Sequence, residues 1–219
     1  MFRVYAAAGL VATLLAVFAR TFIVQAFTIP SDSMEPGLLA GDHILVNKLI
    51  YRPGRGFPLL PRRDVRRGDV VVFAAPPNRG PADRGPAPRL IKRCAALPGE
   101  TVEIDSRGLW IDGVRVDESG YVRRSGRRSP EGGFGPYTVP PGHYFFLGDH
   151  RDRSRDSRAW GPVAAERLIG RAVLIYWSVR AREPVAQRRG RWSKMRRGVG
   201  SPVDWLLRSR WERCFRPVR

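Results

Sequence analysis

Asp69-Val70-Val71-Val72-Phe73-Ala74-Ala75 lies between Arg66-Arg67-Gly68 and Pro76-Pro77 and carries no charge after its first residue. A short run of β-branched and aromatic residues between turn signals reads as a buried strand. Leu90 to Leu97 (LIKRCAAL), ended by Pro98-Gly99, reads as a second. Further out, His43 to Leu49 (HILVNKL) alternates in the manner of a half-buried strand. Thr101–Ile104 and Leu109–Ile111 flank Asp105-Ser106-Arg107-Gly108, and Asp112-Gly113 is a hairpin signal between Trp110-Ile111 and Val114-Arg115-Val116. His143 to Leu147 and Arg171 to Val179 complete the set. The expectation is a mostly-β domain.

Ahead of it, Val4 to Ala19 (VYAAAGLVATLLAVFA) has no charge, and continuing through Phe27 gives a segment long enough to span a bilayer as one helix, with Arg20 near a rim. A cleavable signal peptide ending at Val24-Gln25-Ala26 fits the same pattern. Either reading sends the domain across the membrane. The expected organisation is a short N-terminus (1–3), a transmembrane anchor (4–27), a β domain (28–178) and a basic tail (179–219).

Composition excludes several classes. Hydrophobic residues are 43% and charged residues 27% of the 219, so wholesale disorder is out. With 23 Gly and 19 Pro a helical bundle is out as well. Cys94 and Cys214 are too few for a disulfide framework or a Cys-rich zinc site. The net charge is +19, and more than half of it falls in residues 179–219, where Trp192, Trp205, Leu206, Leu207, Trp211 and Phe215 mix with arginines. That mixture suits an anionic lipid interface better than nucleic acid. A solvated tail fits equally well. The loop of residues 76–89 reads as solvated too.

There is no phosphate-binding glycine loop and no HExxH, and His43, His143 and His150 lack metal-ligand spacing. His43 and His143 fall at strand ends, where structural roles are commonest. The candidate nucleophile is Ser33, six residues past the apolar segment, within Ser31-Asp32-Ser33-Met34-Glu35-Pro36. By composition alone that stretch is only a turn.

Four motifs in order change the reading. Phe27-Thr28-Ile29-Pro30-Ser31-Asp32-Ser33-Met34-Glu35-Pro36, with Gly41-Asp42 and Val46-Asn47-Lys48, resembles the serine box of type I signal peptidases. Arg67-Gly68-Asp69-Val70-Val71-Val72-Phe73 resembles the next box, and Ile91-Lys92-Arg93-Cys94-Ala95-Ala96-Leu97-Pro98-Gly99-Glu100 the lysine box. The run from Gly148-Asp149-His150 through Asp156-Ser157-Arg158 to Trp160-Gly161-Pro162-Val163 is similar to the last. Gly37, Glu100 and His150 depart from it, standing where the family commonly has threonine, aspartate and asparagine.

The resemblance implies a signal-peptidase-like β-sheet domain and a Ser/Lys dyad, with Ser33 as nucleophile and Lys92 as general base. It also implies an oxyanion hole from the Ser31 hydroxyl and the Ser33 backbone N–H. Ser154 is then expected to orient Lys92, and Asp156 and Arg158 to form a supporting ion pair, with Gly148 and Asp149 in the same loop. The physical demand falls on Lys92. At an ordinary pKa of about 10.4, about one lysine in 2,500 is neutral at pH 7, and burial raises that fraction. Arginine cannot be deprotonated at all. Only three of the 39 basic residues are lysines, so one at this position is informative.

The implied function is a membrane-bound serine endopeptidase that removes signal peptides from exported preproteins through an acyl-enzyme. It would sit in the bacterial inner membrane by a single pass, with its domain on the extracytoplasmic side. No metal or organic cofactor is expected, and no nucleic acid partner. A specialised peptidase of the same family, maturing a conjugation or pilin substrate, is one alternative. A membrane-tethered basic module for lipid or nucleic acid is the other.

Overall fold

A computed structural model of the chain describes residues 1–18, 23–51, 63–77, 87–123, 133–180 and 206–218. Arg20, most of the 76–89 loop, and Trp192 and Trp205 of the tail lie outside the described residues.

A helix, α1 (Phe2–Phe18), precedes twelve strands among the described residues: β1 (Val24–Thr28), β2 (Asp42–Asn47), β3 (Val70–Ala74), β4 (Arg89–Ala96), β5 (Thr101–Ile104), β6 (Leu109–Ile111), β7 (Val114–Arg115), β8 (Phe134–Thr138), β9 (His143–Leu147), β10 (Val163–Ala164), β11 (Leu168–Ser178) and β12 (Arg216–Pro217). A short helix, α2 (Ser157–Trp160), lies between β9 and β10. The main sheet runs β1-β2-β11-β3-β4-β9-β10, with β12 paired to β11, and a smaller sheet runs β7-β6-β5-β8. The mostly-β expectation holds.

The expected apolar runs become the inner strands. Residues 70–73 of β3 and 92–96 of β4 are buried throughout, because these strands have neighbours on both edges and packed layers on both faces. β2 instead alternates between buried and half-buried positions, as its sequence does. Two clusters line the main sheet, one around Ile29, Met34, Leu38, Ile44, Val46 and Val72, the other around Val71, Phe73, Cys94, Phe146 and Trp160. The Phe73 and Phe146 rings stack at 4.6 Å, with Trp160 edge-on to Phe73 at 5.9 Å. A third cluster joins Ala95, Ala96, Phe145 and Leu147 to the small sheet. In that sheet β6 and β7 form the expected hairpin, with Asp112 at φ 50° and Gly113 at φ 78°. Positive φ at both turn residues is what a two-residue turn matching the strand twist requires.

Two expectations are corrected. The 4–27 anchor does not continue as one helix: α1 ends at Phe18 among the described residues, and Val24–Thr28 is strand β1, antiparallel to β2 from Val24↔Asn47 to Thr28↔His43. The physical reason is that β2 offers an open edge whose backbone groups β1 satisfies, while Phe27 packs on the main core. The same pairing puts Val24-Gln25-Ala26 inside a strand, so cleavage there would require β1 to leave the sheet. No helix among the described residues is long and apolar enough to cross a membrane.

The second correction concerns the 178/179 boundary. Composition changes there, but residues 206–218 return to the sheet: β12 pairs with Leu174 and Ile175, Val179 bridges to Ser209, and Trp211 meets Trp177 edge-on at 4.9 Å. Of the tail, this stretch at least belongs to the β domain.

Candidate active site

The loop between β1 and β2 carries Ser31 and Ser33. Its base is closed by two backbone bonds, Ile29 N–H to Asp42 O (2.8 Å) and Gly41 N–H to Ile29 O (2.9 Å). Its middle is pinned by Met34 and Leu38, both essentially without exposure in the core. Between these supports Ser33 is 8% exposed. Lys92 sits in β4 opposite Val71 of β3 and is 5% exposed. The two side chains, 59 residues apart in the chain, meet: Lys92 Nζ donates to Ser33 Oγ at 2.6 Å.

Burial is the largest influence on Lys92 and lowers its pKa, because an ammonium loses its hydration in the strand layer. The carboxylates of Asp156, Asp149 and Asp32 oppose the shift, and Arg158 adds to it. Burial prevails. An amine of lowered pKa in hydrogen-bond reach of a hydroxyl can accept its proton.

Ser31 is exposed and its Oγ lies 3.4 Å from Ser33 Oγ. The two hydroxyls therefore face the same space. Ser154 departs from expectation: its Oγ is buried and makes no hydrogen bond among the described residues, so the expected bond to Lys92 is not formed. The reason is visible in the packing, since Lys92 Nζ is directed at Ser33. Ser154 is instead pressed against Gly148.

Gly148 is a steric requirement. A Cβ there would overlap Ser154 and stand 2.6 Å from the Ser33 carbonyl oxygen. That carbonyl also accepts the His150 N–H at 3.1 Å, so the segment after β9 lies directly on the Ser33 backbone. Asp156 holds this segment in place. Its carboxylate, fully buried, accepts from Gly148 N–H (3.0 Å) and from Arg158 Nε (2.8 Å) and Nη2 (2.9 Å), and it caps α2 through Arg158 N–H. Arg158 Nη2 further donates to the carbonyls of Arg151 (2.7 Å) and Ser154 (3.2 Å).

Asp149 has a partner that sequence reasoning missed. Arg93, adjacent to Lys92 in β4, donates through Nε and Nη2 to the two Asp149 oxygens, each at 2.7 Å, and its guanidinium lies over the Tyr121 ring at 4.3 Å. Burial raises the Asp149 carboxyl above its ordinary value, against the pull of that guanidinium. Gly37 leaves room for this pair, since a Cβ there would fall 2.6 Å from Asp149 Oδ2. Glu118 and Arg151 form a second buried ion pair nearby. Alternation along β4 was the available signal: consecutive residues face opposite ways, so a basic pair in a buried strand implies a partner on each side.

The remaining candidates fall away from the dyad. His43 Nδ1 pairs with Thr28 Oγ1 at 3.1 Å, and His143 Nδ1 with the Pro141 carbonyl at 3.0 Å. Burial pushes the Cys94 thiol up, which leaves it inert. Among the described residues no group of three His, Cys, Asp or Glu side chains could hold a metal ion.

Comparison with known proteins identifies the family. The family model described as signal peptidase, peptidase S26, matches residues 2–177. A probable signal peptidase I-2 of Synechocystis sp. is 37% identical, over 77% of this chain and 70% of its own length. Signal peptidase I of Leptolyngbya laminosa is 36% identical over 75% and 74%. Signal peptidase I of Aquifex aeolicus is 33% identical over 74% and 78%. A match spanning both the serine loop and the lysine strand, shared at this identity, assigns the chain to the signal peptidase family, peptidase S26.

Proposed function

We propose that this protein is a membrane-anchored serine endopeptidase that removes signal peptides from exported preproteins, with Ser33 and Lys92 as its catalytic dyad. The observation that carries the proposal is the buried 2.6 Å contact between Lys92 Nζ and Ser33 Oγ. With Lys92 neutral, the direction of that bond reverses and the Ser33 hydroxyl donates to the amine. Ser33 Oγ bonds to the scissile carbonyl carbon as its proton passes to Nζ. The oxyanion is stabilised by the Ser31 hydroxyl and the Ser33 backbone N–H. The resulting ammonium protonates the departing amine as the C–N bond breaks, leaving an ester on Ser33. Water, giving a proton to the neutral amine, then attacks the ester and releases the carboxylate. Ser33 Oγ recovers its proton from Lys92.

The substrate's extended cleavage region would add as a strand beside the site, with small side chains before the scissile bond. Its apolar segment would lie in the bilayer next to α1. The side chains of Val4, Tyr5, Leu10, Val11, Leu14 and Val17 are each more than half exposed, which is costly in water and favourable in lipid. At about 1.5 Å per residue α1 is about 26 Å long, so an anchor needs part of the stretch before β1 as well. This reading puts the protein in a bacterial inner membrane with the β domain outside, and lipid, anionic where arginines meet it, as its second partner.

Wild type, Ser33→Ala and Lys92→Ala, incubated with a preprotein in detergent, test the proposal. Wild type should release mature protein while both variants leave the preprotein intact. Cleavage by either variant at the wild-type rate would overturn the dyad.

A further inference from the structure

Asp42 is the first residue of β2 and closes the base of the nucleophile loop, and its carboxylate is fully buried. It accepts from Ser178 Oγ at 2.6 Å and from Leu39 N–H at 2.8 Å. The rest of its surroundings come from the far end of the chain. Arg213 donates to it through Nη2 at 2.6 Å and Nε at 3.3 Å, and Arg210 Nη1 stands 3.6 Å away. The same arginines reach the loop backbone: Arg213 Nη2 donates to Gly37 O at 3.0 Å, and Arg210 Nη2 to Ala40 O at 2.7 Å. Both side chains are nearly buried, at 11% and 12% exposure. These arginines do not behave as solvated charge.

The segment bearing them is held independently. Arg210 N–H donates to Ser178 O (2.8 Å), Arg180 N–H to Arg208 O (3.0 Å) and Val218 N–H to Val173 O (3.1 Å), with β12 paired to β11 and Trp211 against Trp177. Two seated guanidinium groups thus hold three loop positions, Arg213 joining Gly37 to Asp42 and Arg210 holding Ala40. Ser33 lies between this grip and Ile29, which pairs with Gly41 and Asp42 across the loop base.

We propose that residues 206–218 form a strap that fixes the nucleophile loop, with Arg213 as a positioning residue for Ser33. This rests on the reading of Ser33 as the nucleophile. Arg213 touches no reacting atom. It acts by joining the middle of the loop to its base, so that the Ser33 hydroxyl stays aimed at Lys92. An arginine suits the task because its planar fork reaches a carboxylate and a carbonyl together, which an ammonium cannot do in one fixed geometry.

The test uses the full chain in detergent, with Arg213→Ala and Arg213→Lys. Preprotein cleavage is measured well below each variant's unfolding midpoint, alongside hydrogen exchange of peptides covering residues 29–42. Arg213→Ala should lower kcat by about ten- to a hundredfold with KM within about twofold, because misplacement affects the reacting geometry more than binding. Exchange in 29–42 should quicken, and Arg213→Lys should recover only part of both. If the alanine variant does not fold, the lysine variant is read in its place. A kcat within about twofold of wild type in the folded variant overturns the positioning role, whatever exchange shows. If wild type itself does not cleave, the signal-peptidase reading has failed, and unchanged exchange in 29–42 would then overturn the strap on its own.

Discussion

Replacing Gly148 by alanine adds one methyl group where three parts of the site converge. The new Cβ would stand 2.6 Å from the Ser33 carbonyl oxygen and would overlap the Ser154 side chain. A carbon–oxygen contact without strain needs about 3.3 Å, so the Ser33 backbone and the β9 end must separate by about 0.7 Å. Neither side yields freely. The Ser33 carbonyl is bonded to His150 N–H, and Gly148 N–H is bonded to the buried Asp156. A displacement of that size at a nucleophile corresponds to about a ten- to hundredfold loss of rate, or roughly 1.4–2.7 kcal/mol of barrier. Overpacking costs a further 1–3 kcal/mol or so of stability. The assay is single-turnover cleavage of a preprotein with enzyme in excess, run below the unfolding midpoint, with the midpoint followed separately by circular dichroism. Gly120→Ala, whose Cβ meets nothing within 4 Å, is the control and should behave as wild type. Adding Ser154→Gly to Gly148→Ala removes one overlap and leaves the other. It should restore part of the stability while the rate stays low. A Gly148→Ala enzyme that cleaves within about twofold of wild type would mean that the close approach does not constrain Ser33.

Because burial lowers the Lys92 pKa, its neutral form appears at lower pH than for an ordinary lysine. kcat/KM should therefore rise with pH through a value below about 10.4, and a pH–rate profile whose acid limb sits at the ordinary lysine value would contradict this. The same depressed value makes folding less favourable as pH falls through it, while stability grows as pH rises toward the unfolded value. Lys92→Met should lose that dependence and be the more stable form at neutral pH in urea titrations. Cys94 is almost fully buried with its thiol pKa raised, whereas Cys214 is partly exposed. A colorimetric thiol titration of the folded protein should count one rapidly reacting cysteine, and two after denaturation. Asp156→Ala leaves Arg158 Nε and the Gly148 N–H without their acceptor, and urea unfolding should show a loss of about 3 kcal/mol, near the low end for a buried pair because Arg158 is partly exposed and keeps its bonds to the Arg151 and Ser154 carbonyls.

The kinds of element and the residues of chemical interest were legible from local sequence. Val70–Ala74 reads as an inner strand, because an uninterrupted apolar run of that length between turn signals has nowhere else to go, and Leu90–Ala96 reads as a second strand stopped by Pro98-Gly99 although it carries Lys92 and Arg93. Asp112-Gly113 could turn at positive φ, and it does. Ser33 and Lys92 stood out through their motifs, and the lysine through its rarity among arginines. These are local properties, set within a few residues. Register and long-range company came from the folded chain. It ended α1 before a strand that composition had merged with the anchor, because an open sheet edge competes for the backbone of residues 24–28. It left the Ser154 hydroxyl without a partner among the described residues and set Gly148 against the Ser33 carbonyl. It placed Arg93 on Asp149, and it turned Arg210 and Arg213 of an apparently solvated tail onto the buried carboxylate of Asp42 near the start of the chain. A pattern of polar and apolar residues says that a side chain needs a partner. Which partner it meets depends on how strands pair across the sheet, and no local window of sequence contains that.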